Sequence, residues 1–167
     1  MLLQAKWLGV GGLILVILLA LYFLGKKSVH ASVSVPVSPD QVWKLLTNLD
    51  QVQAWNKILV PKEGQLIEGQ EITYDFHDIE KSSSEIKARV QRLIPNQEIQ
   101  QSGGMPGILT FHHRYILTPE AGGTRVEIRE EYRGIMVPFW SPASVGASYQ
   151  QLLDDLKTYI TTPTSPQ

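Results

Sequence analysis

Residues Ser28–Asp50 read Ser-Val-His-Ala-Ser-Val-Ser-Val-Pro-Val-Ser-Pro-Asp-Gln-Val-Trp-Lys-Leu-Leu-Thr-Asn-Leu-Asp. Two periods meet in this stretch. Val29, Ala31, Val33 and Val35 recur at every second position, the spacing of a strand with one face turned to a core. Ser38-Pro39-Asp40 then changes the period. Ser38 suits a helix N-cap and Pro39 the first helical position, and Val42, Trp43, Leu45 and Leu46 follow at helical spacing. Asn48–Trp55 reads as a second short helical or turn segment.

Downstream the chain alternates. Runs at Glu71–His77, Glu85–Ile94, Glu98–Ser102, Ile108–Leu117 and Thr124–Tyr132 read as strands, with a weaker one near Ile58–Val60. Ser82-Ser-Ser84, Pro95-Asn96, Gly103–Gly107 and Pro119–Gly123 separate them with turn chemistry. From Ala143 to Ile160 the period returns to that of a helix, with Val145, Tyr149, Leu152, Leu156 and Tyr159 on one stripe.

This order resembles the START-like, helix-grip (SRPBCC) superfamily, and within it the polyketide cyclase/dehydrase-like and lipid-transport group. The resemblance rests on Val33–Asp50, on Ala54-Trp55-Asn56 and on Gly69 ahead of a strand. The paired segments Phe111–Pro119 and Gly123–Arg129 carry it further, so that it spans essentially residues 28–161. It implies an α+β fold, a curved antiparallel sheet wrapped around the long C-terminal helix with a cavity between them. It implies no single function, because the superfamily holds binders, transporters and enzymes.

Composition narrows the function classes. Lys and Arg number 15 against 16 Asp and Glu, and they are scattered, which argues against a nucleic-acid partner. The sequence has no cysteine, so disulfide and thiol chemistry are excluded. His112 and His113 are adjacent and point to opposite faces of a strand, while His30 and His77 stand alone, so no metal site is expected. No G-x-S-x-G, P-loop or dinucleotide fingerprint occurs, and no cofactor is expected.

On the inward faces of the strands, alternation nominates Tyr74, Phe76, Val90, Phe111, His113, Tyr115, Ile128, Glu130 and Tyr132 as ligand-binding residues. That face is mostly apolar with a few polar groups, the composition of a small-molecule site or of a filled core. Its two ionisable members are His113 and Glu130, expected on neighbouring strands about one diagonal step apart. A satisfied internal pair is the favoured account of them. Catalysis by His113 as base with Glu130 orienting it is the alternative.

Met105, Met136, Phe139 and Trp140 belong to two loops expected at one end of the sheet, beside the start of the first strand. They form a candidate cavity mouth whose apolar side chains suit contact with lipid, unless Phe139 and Trp140 fold inward as a staple.

The first 27 residues read differently. Between Lys6 and Lys26 no charged side chain occurs, and about a dozen residues are Leu, Ile, Val or Phe, which favours bilayer insertion by on the order of −4 to −7 kcal/mol. A single-pass membrane anchor over residues 7–25 is therefore expected, with Trp7 and Tyr22 near its ends. A cleaved signal peptide fits less well, because the apolar run is long and Lys26-Lys27 stands where a cleavage region is normally uncharged. Lysines flank both ends almost equally, so the side of the membrane is open.

The chain thus divides into an anchor at 1–27, a helix-grip domain at 28–162 and a disordered tail at 163–167. The expected function is binding of a lipid or other apolar small molecule by a membrane-tethered domain, without catalysis. Two alternatives stand beside it: a cyclase/dehydratase-type enzyme, and a protein-interaction module with a filled core.

Overall fold

Strand β1 runs over Lys26–Val35, two residues longer at its start than alternation indicates, and turns Ala31 and Val35 into the core. The computed structural model describes the backbone of residues 2–162 and the side chains of residues 10–162. The tail expected to be disordered, residues 163–167, lies outside the described residues.

Helix α2 spans Pro39–Thr47 and starts as its sequence dictates. Ser38 Oγ accepts from the Gln41 N–H, and the Ser38 N–H donates to Gln41 Oε1 at 3.1 Å, a reciprocal capping box. Helix α3 covers Leu49–Trp55. Beyond it Asn56 is buried, and its Oδ1 accepts from the backbone N–H of Ile58 and Leu59 at 3.0 and 2.9 Å. That local bond, available to an Asn side chain, steers the chain from helix into β2 at Leu59–Glu63.

Strands β3 (Glu71–His77), β4 (Ser83–Ile94), β5 (Glu98–Met105), β6 (Leu109–Glu120) and β7 (Gly123–Arg133) follow as antiparallel neighbours. The sheet order is β1-β7-β6-β5-β4-β3-β2, so β1 closes against the last strand while α2 and α3 carry the chain to the opposite edge. A one-turn 3-10 helix, Val137–Phe139, leads into α4 at Ala143–Thr161.

The curled seven-stranded sheet grips α4 with its inner face, an α+β helix-grip architecture. Leu152, Leu153 and Leu156 are fully buried there against Val126 and Ile128, each worth about 1.5–3 kcal/mol of burial. The buried stripe of α4 runs through Leu153 rather than reaching Tyr159, which is exposed.

The N-terminal segment forms helix α1, Leu2–Leu24, and joins β1 through the single residue Gly25. Among the described residues no helix is long and apolar enough to cross a membrane, which corrects the expectation of a single-pass span over residues 7–25. The described side chains of α1, from Val10 to Leu24, are exposed except for half-buried Leu21. Trp7 lies outside the described side chains.

Candidate functional site

The hairpin β6–β7 builds the centre of the site. Its pairing runs to Glu120 opposite Gly123, which leaves Ala121-Gly122 as the turn, with Gly122 at φ 91°. A two-residue turn with positive φ is the glycine-favoured connection. It sets His113 directly opposite Glu130, rather than one diagonal step away, and Phe111 opposite Tyr132. On the other side of His113 stands Gln101 of β5. A polar row therefore crosses the inner face of the sheet from Gln101 through His113 to Glu130.

Both ionisable members are nearly sealed from water, His113 at 2% exposure and Glu130 at 4%. His113 Nδ1 lies 2.6 Å from Glu130 Oε2. An ionised carboxylate only accepts, so the proton between them belongs to Nδ1. From α4, the Tyr149 hydroxyl donates to the same oxygen at 2.7 Å. Burial is the largest influence on Glu130 and pushes its pKa up, but the hydrogen bond and charge of His113, joined by the neighbouring tyrosine hydroxyls, outweigh it. Glu130 is held below the ordinary carboxylate range and is ionised at neutral pH.

The surrounding phenols move the other way. Burial raises Tyr149, Tyr132 and Tyr115, and the negative charge of Glu130 adds to each shift. Burial lifts Tyr74 to about 12, and Gln101 donates to its hydroxyl at 2.7 Å. All four are neutral at neutral pH and available as hydrogen-bond donors. His113 Nε2 has no hydrogen-bond partner among the described residues, and the Tyr132 hydroxyl neighbours the Glu130 carboxylate without making a hydrogen bond of good geometry to it.

These residues form one side of a solvent-open pocket of about 890 Å³ that lies between strands β3–β7 and the N-terminal half of α4 and extends to outward-facing residues such as Lys87, Arg89 and His112. Phe76, Ile86, Ala88, Phe111, Val145 and Trp140 supply the apolar walls. Trp140 is half-buried, and its ring meets that of Tyr132 edge-on at 4.8 Å. Gly103 has a steric role. A Cβ there would lie 2.2 Å from the Lys87 carbonyl oxygen and 2.6 Å from the Phe111 ring, so only glycine lets that ring lie across β5.

Of the nine residues nominated from alternation, Tyr74, Phe76, Phe111, His113, Glu130 and Tyr132 line the cavity. Val90 and Ile128 lie in the packed core, and Tyr115 borders a separate small void of about 30 Å³ with Trp55. Alternation identifies the inward face but not the depth at which the cavity ends. Of the four mouth residues only Trp140 lines it, while Met105, Met136 and Phe139 are exposed at the same end, Phe139 most of all at 70%. That end also receives the chain from α1, because the Gly134 N–H donates to the Gly25 carbonyl at 3.0 Å. Phe139 and Trp140 therefore part company, one outward and one inward.

Two site residues escape the sequence reading. Gln101 was legible only as part of a strand, although its position two residues after inward Ile99 marks it as inward too. Tyr149 reads as an ordinary member of an apolar stripe; its hydroxyl, aimed at Glu130, is its one distinguishing group. Glu127 lies outside this row. It points to the outer face, yet Arg125, Arg129 and His30 cover it and leave it 8% exposed. Among the described residues no three His, Asp or Glu side chains converge as metal ligands.

The sequence profile of the family described as polyketide cyclase / dehydrase and lipid transport matches residues 26–161. The chain belongs to this family. Solved structures share its fold. Protein CV1439 from Chromobacterium violaceum is 15% identical, covers 82% of this chain and 99% of its own, and superposes with a TM-score of 0.66. Protein Ms6760 from Mycobacterium smegmatis is 10% identical over 83% of this chain and 93% of its own, with a TM-score of 0.69. CalU16 from Micromonospora echinospora is 21% identical over 84% and 78%, with a TM-score of 0.61. No curated protein matches the chain. At such identities the likeness establishes the fold, and the polyketide cyclase / dehydrase and lipid transport family spans both apolar-ligand binding and cyclase chemistry. The choice between them rests on the site.

Proposed function

We propose that this chain binds an apolar small molecule in the cavity between the sheet and α4. The observation that carries the proposal is the size of that space. About 890 Å³ falls within the range of small-molecule pockets and far exceeds a packing void. A protein-interaction module with a filled core has no need of such a space. The walls suit an apolar guest, and the exposed apolar side chains of Met105, Met136 and Phe139 lie at the open end. The polar row supports orientation of the guest rather than bulk affinity.

A fluorescence titration tests the proposal. The full-length chain, titrated with the neutral apolar dye N-phenyl-1-naphthylamine, is expected to give a saturable enhancement at one dye per chain. Val145→Trp, which places an indole in the cavity wall, is expected to weaken that binding at least tenfold. Absence of saturable binding would overturn the proposal.

A second reading has one observation in its favour. His113 donates through Nδ1 to Glu130 and leaves Nε2 unpartnered, the arrangement of a base oriented by a carboxylate. In a cyclase/dehydratase-type enzyme His113→Phe abolishes turnover; in a binder it alters affinity alone.

A further inference from the structure

At the end of the sheet where β5 and β7 finish, the apolar side chains of Met105, Ile108, Met136 and Phe139 are exposed. Backbone hydrogen bonds join their two loops into one unit. The Ile135 N–H donates to the Gly107 carbonyl at 3.1 Å, and the Met136 N–H to the Ile108 carbonyl at 3.0 Å. Phe139 is held outward rather than loosely displayed. Val137 before it is fully buried, and Lys27 Nζ donates to the carbonyls of Pro138 and Trp140 on either side. A fixed turn that presents apolar side chains to water marks a contact surface.

We infer that this face docks on the surface of an anionic lipid bilayer, with these apolar side chains entering its headgroup layer. Composition, charge and continuity favour lipid over a protein partner. A protein partner is held by a polar rim that hydrogen-bonds across the interface. Gly103–Ile108 and Gly134–Trp140 contain no polar side chain except the Trp140 indole. Behind the loops stand Lys26 and Arg133, both exposed and paired across β1 and β7 at the last register position. Arg133 meets Glu131 only at 3.7 Å, and the acidic Asp78 and Glu80 belong to the β3–β4 loop, toward the other edge of the sheet. Cations set behind an apolar tip match phosphate headgroups above acyl chains. The described part of α1 leaves the same unit through Gly25, apolar and exposed around its circumference except at half-buried Leu21. Lipid covers such a surface on every side, a protein groove on one. The contact needs no helix that crosses the bilayer, and it stands whether or not the cavity is occupied.

The sequence has no cysteine, so one introduced cysteine carries a label uniquely. Met105→Cys in the full-length chain, labelled with nitrobenzoxadiazole, reports the proposed face. Ile67→Cys reports the opposite end of the sheet, where Ile67 is exposed in the β2–β3 loop. Phosphatidylglycerol vesicles with nitroxide-bearing acyl chains are expected to quench the Met105→Cys label several-fold more than the Ile67→Cys label. Lys26→Ser is expected to weaken binding to phosphatidylglycerol vesicles about fivefold, the worth of one cation near an anionic surface, and to leave binding to phosphatidylcholine vesicles unchanged. Equal quenching at the two positions, or none at either, would overturn the inference. A Lys26→Ser chain that binds phosphatidylglycerol as the wild type does would also overturn it. A lipid-free dimer in which the Met105→Cys label is already shielded from aqueous iodide would overturn it too, and would assign the face to a second copy of the chain.

Discussion

Removing the partners of Glu130 one at a time, and then together, measures how the buried row is held. Glu130 Oε2 accepts from His113 at 2.6 Å and from Tyr149 at 2.7 Å. His113→Phe keeps a ring of similar size but leaves the carboxylate buried with one hydrogen bond. Breaking one side of a buried pair in this way costs about 3–5 kcal/mol. Glu130→Gln removes the charge and keeps one acceptor oxygen, so it forfeits roughly one charge-assisted bond, about 1.5–3 kcal/mol. In the double variant no charge remains to be stranded. Its cost is expected to be about 3–5 kcal/mol rather than the sum of the two, a coupling of at least roughly 1.5 kcal/mol. Urea unfolding followed by the fluorescence of buried Trp55 supplies all four corners of the cycle. Additive losses, with a coupling below about 0.5 kcal/mol, would refute the claim that His113 and Glu130 form one charged unit.

Acid should expose the same unit. The folded state holds Glu130 below the ordinary carboxylate pKa, so its stabilising contribution is complete above that value and is lost as the pH falls through and below it. The wild-type chain should therefore lose more stability than Glu130→Gln as the pH drops from 6 past the ordinary value of 4.5; parallel losses in urea melts would contradict this. Gly103→Ala should destabilise the domain by about 1–3 kcal/mol by driving a methyl into the Lys87 carbonyl and the Phe111 ring, and weaker dye binding should accompany it. Ser38→Ala should cost about 1 kcal/mol through loss of the capping box, with dye affinity unchanged.

The parts of the fold that depend on local pattern were legible in the sequence. Val126, Ile128, Glu130 and Tyr132 alternate inward as expected, and Ser38-Pro39-Asp40 starts its helix. What pattern could not supply was depth and tertiary partnership. Val90 and Ile128 share the cavity's face but sit beyond its floor, because the guest space fills only the end of the grip near Trp140. Tyr149 reaches Glu130 from a helix at the far end of the sequence, a contact that no spacing rule encodes. Glu127 is covered by Arg125, Arg129 and His30 from two strands, although alternation alone assigns it to solvent. At the N-terminus hydropathy pointed to a membrane span, whereas among the described residues no helix is long and apolar enough to cross a membrane.

The account's central claim is that the cavity of about 890 Å³ is a binding site. The most direct measurement is mass spectrometry of small molecules extracted from the full-length chain purified from its native source. The account predicts one apolar molecule per chain. A chain recovered folded and empty, and unable to take up N-phenyl-1-naphthylamine afterwards, would contradict it.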